Sequence, residues 1–138
     1  MIDVLYEDNH LIIVNKKAGD IVQGDKTGDT TLSDEVKSYI KNKYNKPGKV
    51  FLGTIHRLDR PTSGAIIYAK TSKALSRMNE QFRNKEVEKT YWAIVDNYPP
   101  NNSGILENYL EKNQKQNKSY ISKKNNGKHA ILEYKILK

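Results

Sequence analysis

Residues Gly53 to Gly64 read G-T-I-H-R-L-D-R-P-T-S-G and set one carboxylate, Asp59, between two guanidinium groups, Arg57 and Arg60. From His56 to Gly64 the stretch is polar and holds Pro61 and Gly64, so it reads as a loop. Strands are predicted on both sides: Val50 to Ile55 before it, and the unbroken apolar run Ala65 to Ala69 after it. A loop held by a rigid scaffold is where function usually sits. Opposite charge favours the ionised form of a carboxyl group, which suits a nucleophile or a base. Arginines grip phosphate bidentately. Thr62 and Ser63 can bond their own backbone and fix the turn, and Gly64 can take angles that other residues avoid. The string also suits a plain surface Asp in an ion-paired turn, and both readings stand at this level.

Working outward, Val4 to Tyr6 and His10 to Asn15 read as two short strands around a turn at Glu7-Asp8-Asn9. Ala18 to Thr30 is rich in Gly and Asp and reads as a loop. Thr31 then caps a helix with Asp34 in its first turn. Leu32, Val36 and Ile40 recur on one face, and Pro47-Gly48 ends it. A second helix is predicted from a cap at Thr71 or Ser72 to about Asn84, with Ala74, Leu75, Met78 and Phe82 on one side. Val87 to Val95 (V-E-K-T-Y-W-A-I-V) reads as another strand, and Pro99-Pro100-Asn101-Asn102 as a turn. Ile105 to Leu110, Ser119 to Ser122 and Ala130 to Leu137 alternate as strands, joined by the polar stretches Asn113 to Lys118 and Lys123 to Lys128. The expected class is α+β: a mixed, mostly antiparallel sheet with flanking helices.

Composition narrows the function. The chain has 138 residues, no cysteine and a formal charge of +8. That length suits one domain. The lack of cysteine excludes a disulfide scaffold, a thiolate metal site and a thiol nucleophile. His10, His56 and His129 are too scattered for a local metal motif. No apolar run approaches a membrane span. The opening residues carry no basic and apolar leader, so a soluble, cytoplasmic protein is expected. Residues 1–99 hold 16 basic and 13 acidic groups, and residues 100–138 hold 8 and 3. A basic skew suits a polyanionic partner and suits equally a lysine-rich composition that only keeps the chain soluble.

H-R-L-D-R-P-T-S-G resembles the signature of the RluA-type pseudouridine synthases. Ile2 to Gly19 (I-D-V-L-Y-E-D-N-H-L-I-I-V-N-K-K-A-G) resembles that family's opening hairpin and its N-K-P-A-G turn. Thr71 to Val95 (T-S-K-A-L…F-R-N-K-E-V-E-K-T-Y-W-A-I-V) resembles the helix and the K-x-Y-x-A-x-V strand that follow. The match covers about the first two thirds of the chain, and the tail from Tyr98 matches only loosely. The resemblance implies isomerisation of uridine to pseudouridine within ribosomal or transfer RNA, with no metal and no cofactor. H-R-L-D-R-P leans toward a relative acting on transfer RNA. Asp59 matches the catalytic Asp. Tyr91 matches the active-site tyrosine, whose ring can stack on uracil and whose hydroxyl can serve the carbon-5 proton transfer. Arg57, Arg60 and Lys89 are the RNA-binding candidates. Arg57 fills the space left by the flipped base or grips the RNA beside it. His56 is expected to be a structural hydrogen-bonding residue, and Arg77 and Arg83 to lie on a solvated helix face.

Two departures stand out. Lys17 occupies the place of the family's usual Pro. Family members also continue into a G-R-x-H-Q-I-R-like segment whose arginine pairs with the catalytic Asp, and nothing in residues 98–138 resembles it. The expectation is therefore a catalytic domain over residues 1–138 that is incomplete at its C-terminal end. A basic RNA-binding fragment without catalysis, and an ordinary basic α+β domain with an ion-paired turn, are the rivals.

Overall fold

The computed structural model describes residues 1–24, 28–124 and 126–138. The chain forms two compact units, Met1–Thr90 and Tyr91–Lys138. The first holds β1 (Val4–Glu7), β2 (Leu11–Lys16), α1 (Leu32–Lys43), β3 (Gly53–Thr54), β4 (Gly64–Ala69) and α2 (Ser72–Arg83). The second holds β5 (Ser103–Asn113), β6 (Lys118–Ile121) and β7 (Lys128–Lys135). The class is α+β and antiparallel pairing dominates, as the sequence predicts. The strands fall into two sheets, ordered β1-β2-β4-β3 and β6-β5-β7, where one sheet was expected.

The first sheet follows from its alternation. The turn between β1 and β2 is tied by Asp8, whose Oδ1 accepts the backbone N–H groups of His10 and Leu11, both at 2.7 Å. Along β2, every second residue (Ile12, Val14, Lys16) points inward and is fully buried. Ile12 lies opposite Tyr68 and Val14 opposite Ile66 on β4, so both strands present one apolar face. Leu32, Val36 and Ile40 of α1 complete this core with Val22. Tyr68 sits in its centre and donates its hydroxyl to the carbonyl of Val22 at 2.8 Å. Thr31 and Asp34 form a full capping box at the start of α1, satisfying two otherwise orphan N–H groups. The helix stops at Lys43, before Pro47-Gly48, because Asn45 takes a left-handed backbone (φ 49°). Thr71 caps α2 by accepting the N–H of Ala74 at 3.1 Å.

A buried ion cluster ties three elements together. Glu7, at the end of β1, has a side chain only 8% exposed. It accepts Lys43 Nζ at 2.8 Å and Lys70 Nζ at 2.7 Å, and the hydroxyls of Tyr39 and Tyr44 at 3.1 and 2.8 Å. Burial opposes its ionisation, but these four donors outweigh that and hold the carboxyl down at about 2. A carboxyl lower in the folded than in the unfolded chain stabilises the fold above its unfolded value, and that stability is lost as pH falls toward the folded value. Glu7→Gln is therefore expected to cost about 2 kcal/mol near neutral pH, since it leaves two cations without their anion. The loss is expected to shrink between about pH 4.5 and 2. Urea melts of both proteins across that range check it, and a pH-independent difference would contradict the assignment.

Three sequence expectations change. Val50 to Ile55 contributes only the two-residue β3, with Val50 and Leu52 packed against the core instead of paired in the sheet. Val87 to Val95 forms no strand among the described residues. Its alternation suits a pleated surface, but a strand also needs a neighbour for its N–H and C=O groups, and among the described residues it pairs with none. Tyr91 and Trp92 are consequently 58% and 87% exposed. The tail strands keep their predicted places with shifted ends, β5 being longer than Ile105 to Leu110. Asp25 to Thr27, within the predicted 18–30 loop, and Asn125, within the predicted 123–128 connection, lie outside the described residues. No helix among the described residues is long and apolar enough to cross a membrane.

Candidate active site

The Asp59 loop joins β3 to β4 and is pinned from beneath by Lys16. This residue ends the inward-facing row of β2 and is fully buried. Its Nζ donates to three carbonyl oxygens: Thr62 at 2.6 Å, Arg60 at 3.0 Å and Lys17 at 3.2 Å. Burial pushes the Lys16 amine down, and the negative charges of Asp20 and Asp59 act against that shift. The cation is thus held by backbone dipoles on one side and by the field of the loop's own carboxylate on the other.

Two further ties shape the loop. The N–H of Thr62 donates to the carbonyl of Asp59 at 2.9 Å and closes a tight turn over residues 59–62. Gly19 and Arg60 exchange hydrogen bonds: the Gly19 N–H donates to the Arg60 carbonyl at 2.7 Å, and Arg60 Nε donates to the Gly19 carbonyl at 3.1 Å. Gly64 leaves the loop with φ at 145°, a region that L side chains rarely adopt, as its place in the sequence predicts.

The predicted carboxylate between two guanidinium groups is not an ion-paired turn. Among the described residues the Asp59 carboxylate has no ion pair or hydrogen bond. Arg60 turns toward Gly19 and lies 3.5 Å from Asp29 Oδ2, while Arg57 is exposed. Arg57, Asp59 and Arg60 are all open to solvent on one short loop, so the site offers an unspent anion beside two cations.

His56, at the base of the loop, works as structure. Its Nε2 accepts the backbone N–H of Ile67 at 2.9 Å, and its ring stacks on Phe82 with centroids 5.1 Å apart. Burial, aided by the positive charge of Lys89, pushes its pKa below the usual histidine value. An imidazole that accepts through Nε2 must be neutral there, which agrees with the direction of that shift. A group depressed in the fold destabilises it as pH falls below 6.5. The His56 ring is expected to titrate below free histidine in an NMR pH series, and a midpoint at or above 6.5 would contradict this hydrogen bond. Lys89 is exposed, and its charge acts on His56. Tyr91 opens the second unit and is exposed. Arg77 is also on α2, and Arg83 is exposed near its end.

The profile of the RNA pseudouridylate synthase family matches residues 10–138. The chain belongs to that family. Among curated pseudouridine synthases, the ribosomal large subunit pseudouridine synthase D of Borreliella burgdorferi is 33% identical over 141 residues, covering 99% of this chain and 43% of the relative. The ribosomal large subunit pseudouridine synthase C of Buchnera aphidicola subsp. Acyrthosiphon pisum is 36% identical over 138 residues, covering 98% and 41%. The solved structure of human RNA pseudouridylate synthase domain containing 4 superposes with a TM-score of 0.78 at 23% identity, covering 98% of this chain and 53% of that one. That likeness speaks to the shared pseudouridine synthase fold. The chain spans about two fifths of the length of these curated synthases.

Sequence reasoning did not single out Lys16. Its signal was present in the spacing Ile12, Val14, Lys16, which sets a lysine on the face that the strand buries.

Proposed function

We propose that this chain carries the catalytic aspartate of an RluA-type enzyme that converts uridines in RNA to pseudouridine. The unpaired, exposed Asp59 carboxylate on a loop locked by Lys16 supports this reading most directly. In the reaction the bond from ribose C1′ to uracil N1 breaks, the freed base turns over, and C5 bonds to C1′. The C5 proton is lost and N1 gains one, so the product is an isomer of the substrate and no external reductant or oxidant takes part. Asp59 either attacks the sugar or removes a ribose proton to begin the step. Tyr91 stacks on the uracil and serves the C5 proton transfer. The target leaves its stack at a cost of a few kcal/mol. Arg57 fills or flanks the vacated place, and Lys89 holds phosphate. The exposed terminal nitrogens of Arg60 do the same while its Nε anchors the loop.

We infer a cytoplasmic enzyme acting on ribosomal or transfer RNA; the names of its curated relatives support ribosomal RNA, and the H-R-L-D-R-P form of its loop supports transfer RNA. We also infer that residues 1–138 are part of a larger catalytic domain. The exposed Tyr91, Trp92 and Val95 of a segment that pairs with no strand among the described residues favour a further segment in the full domain, and the lack of a cation paired to Asp59 among the described residues favours an arginine in it. The test is release of tritium from RNA labelled at uracil C5. The protein carrying the whole domain is expected to release label over many turnovers, and the 138-residue chain alone to release little. Full turnover by the chain alone would overturn the inferred larger domain, and no release by either would overturn the enzymatic reading in favour of a non-catalytic RNA-binding fragment.

A further inference from the structure

One end of the second sheet gathers six lysines. Lys112, Lys115 and Lys118 lie on or beside the β5–β6 turn, and Lys123, Lys124 and Lys128 on the connection from β6 to β7. Glu111 is the single acid between residues 110 and 128. Register brings the two groups together: Asn113 lies opposite Lys118, and Leu110 opposite both Ile121 and Lys128. All six side chains are exposed, and among the described residues none has an ion pair or a side-chain hydrogen bond. The other end of the same sheet is mixed, with Glu107, Glu133 and Lys135, and there Glu107 is paired to His129. The charge is thus concentrated by position within one sheet.

The connections that bear the lysines are built. Asn113 Oδ1 accepts the N–H groups of Lys115 and Gln116 at 3.0 and 3.2 Å. Ser122 is buried; its hydroxyl donates to Glu111 and accepts the N–H of Asn126, both at 3.1 Å. Gly127, at φ 96°, passes so close to β5 that any Cβ there would meet the Leu110 carbonyl. The β5–β6 hairpin carries an open concavity of about 480 Å³, lined by Lys112, Lys115 and Tyr120 with Glu111, Asn113 and Gln114. Tyr120 is half-exposed, and its hydroxyl is held by the side chain of Gln116.

We propose that this end of the second sheet binds the phosphate backbone of single-stranded RNA, with the Tyr120 ring stacked on a base. Six unpaired cations repel one another, and a polyanion relieves that repulsion while releasing its own counterions. A basic groove with an aromatic platform is the arrangement that holds single strands without reading their sequence. The proposal rests on the reading of the chain as one that acts on RNA and assigns part of the binding to the second unit, in addition to the Asp59 loop.

The test is fluorescence anisotropy of a labelled oligouridine with the intact 138-residue chain at several salt concentrations. Replacing Lys112, Lys115 and Lys118 by Gln, or Lys123, Lys124 and Lys128 by Gln, is expected to weaken binding about tenfold or more at low salt. Each triple should also lower the salt slope by about 2, three contacts at about 0.7 each. Tyr120→Leu is expected to weaken binding about tenfold and Tyr120→Phe to leave it near wild type. Replacing Lys37, Lys41 and Lys49 of the first unit by Gln removes the same charge elsewhere and is expected to change binding little. An equal loss in that control, or wild-type affinity and slope in both hairpin triples, overturns the surface and leaves the isomerase reading standing. A wild-type chain that does not bind oligouridine at low salt overturns the surface too, while the isomerase reading stands or falls by label release from the whole domain.

Discussion

Asp59→Asn is expected to cut release of tritium from RNA labelled at uracil C5 by about 10,000-fold or more in the protein that carries the whole domain. Asn keeps the size of Asp59 and loses the charge, so it can neither attack C1′ nor take a proton from the ribose. Folding should be nearly untouched. The Asp59 carboxylate is exposed and bonds to nothing among the described residues. The contribution of residue 59 to the loop is its carbonyl, which accepts Thr62 N–H at 2.9 Å whatever the side chain is. RNA affinity should hold as well, since Arg57, Lys89 and the lysines of the second sheet are unchanged. Asp59→Ala should behave alike. A structural Asp behaves otherwise: its loss lowers stability and leaves the chemistry of the folded fraction alone. Substantial label release by either variant, measured with folding checked by circular dichroism, would remove Asp59 from the chemistry.

The parts of the fold that were legible in the sequence are those governed by local rules. The Thr31–Asp34 box, the Thr71 cap and Gly64 at the loop exit each depend on backbone geometry within a few residues, and each is found where the sequence puts it. The strand expected at Val87 to Val95 failed for a non-local reason. Alternation reports which residues suit a sheet, but pairing is decided by whether a neighbouring strand is present. The site divides in the same way. Grouping Asp59, Arg57 and Arg60 on one loop follows from adjacency. Their partners do not: Arg60 bonds across 41 residues to Gly19, and Lys16 across 44 and 46 residues to the carbonyls of Arg60 and Thr62. Glu7 likewise gathers Tyr39, Lys43, Tyr44 and Lys70, contacts that exist only once β1, α1 and β4 are packed.

Lys16→Met is expected to destabilise the first unit by about 1–3 kcal/mol, a sizeable share of the 5–15 kcal/mol by which domains are usually stable. Met matches the length of the lysine stem and fills the same apolar channel, so little packing is lost. What disappears is the donor. The Arg60 carbonyl keeps the N–H of Gly19 and the Lys17 carbonyl keeps the N–H of Asp20, but the Thr62 carbonyl loses the bond that Lys16 Nζ makes to it at 2.6 Å. A buried carbonyl left without a partner costs more than a hydrogen bond gains, which sets the size of the effect. Removing a buried cation returns part of that cost, because its desolvation no longer has to be met. Lys16→Glu offers no such return: it puts an anion among carbonyl oxygens and beside the fields of Asp20 and Asp59, and the first unit should fail to fold. Because Lys16 acts through the backbone of the loop and Asp59 through its own carboxylate, the two substitutions separate in a paired experiment. Lys16→Met should lower the urea midpoint strongly and reduce label release per folded molecule far less than Asp59→Asn does. An unchanged midpoint would show that the loop is held by other contacts, and a loss of release as deep as that of Asp59→Asn in fully folded protein would move Lys16 from beneath the site into the reaction itself.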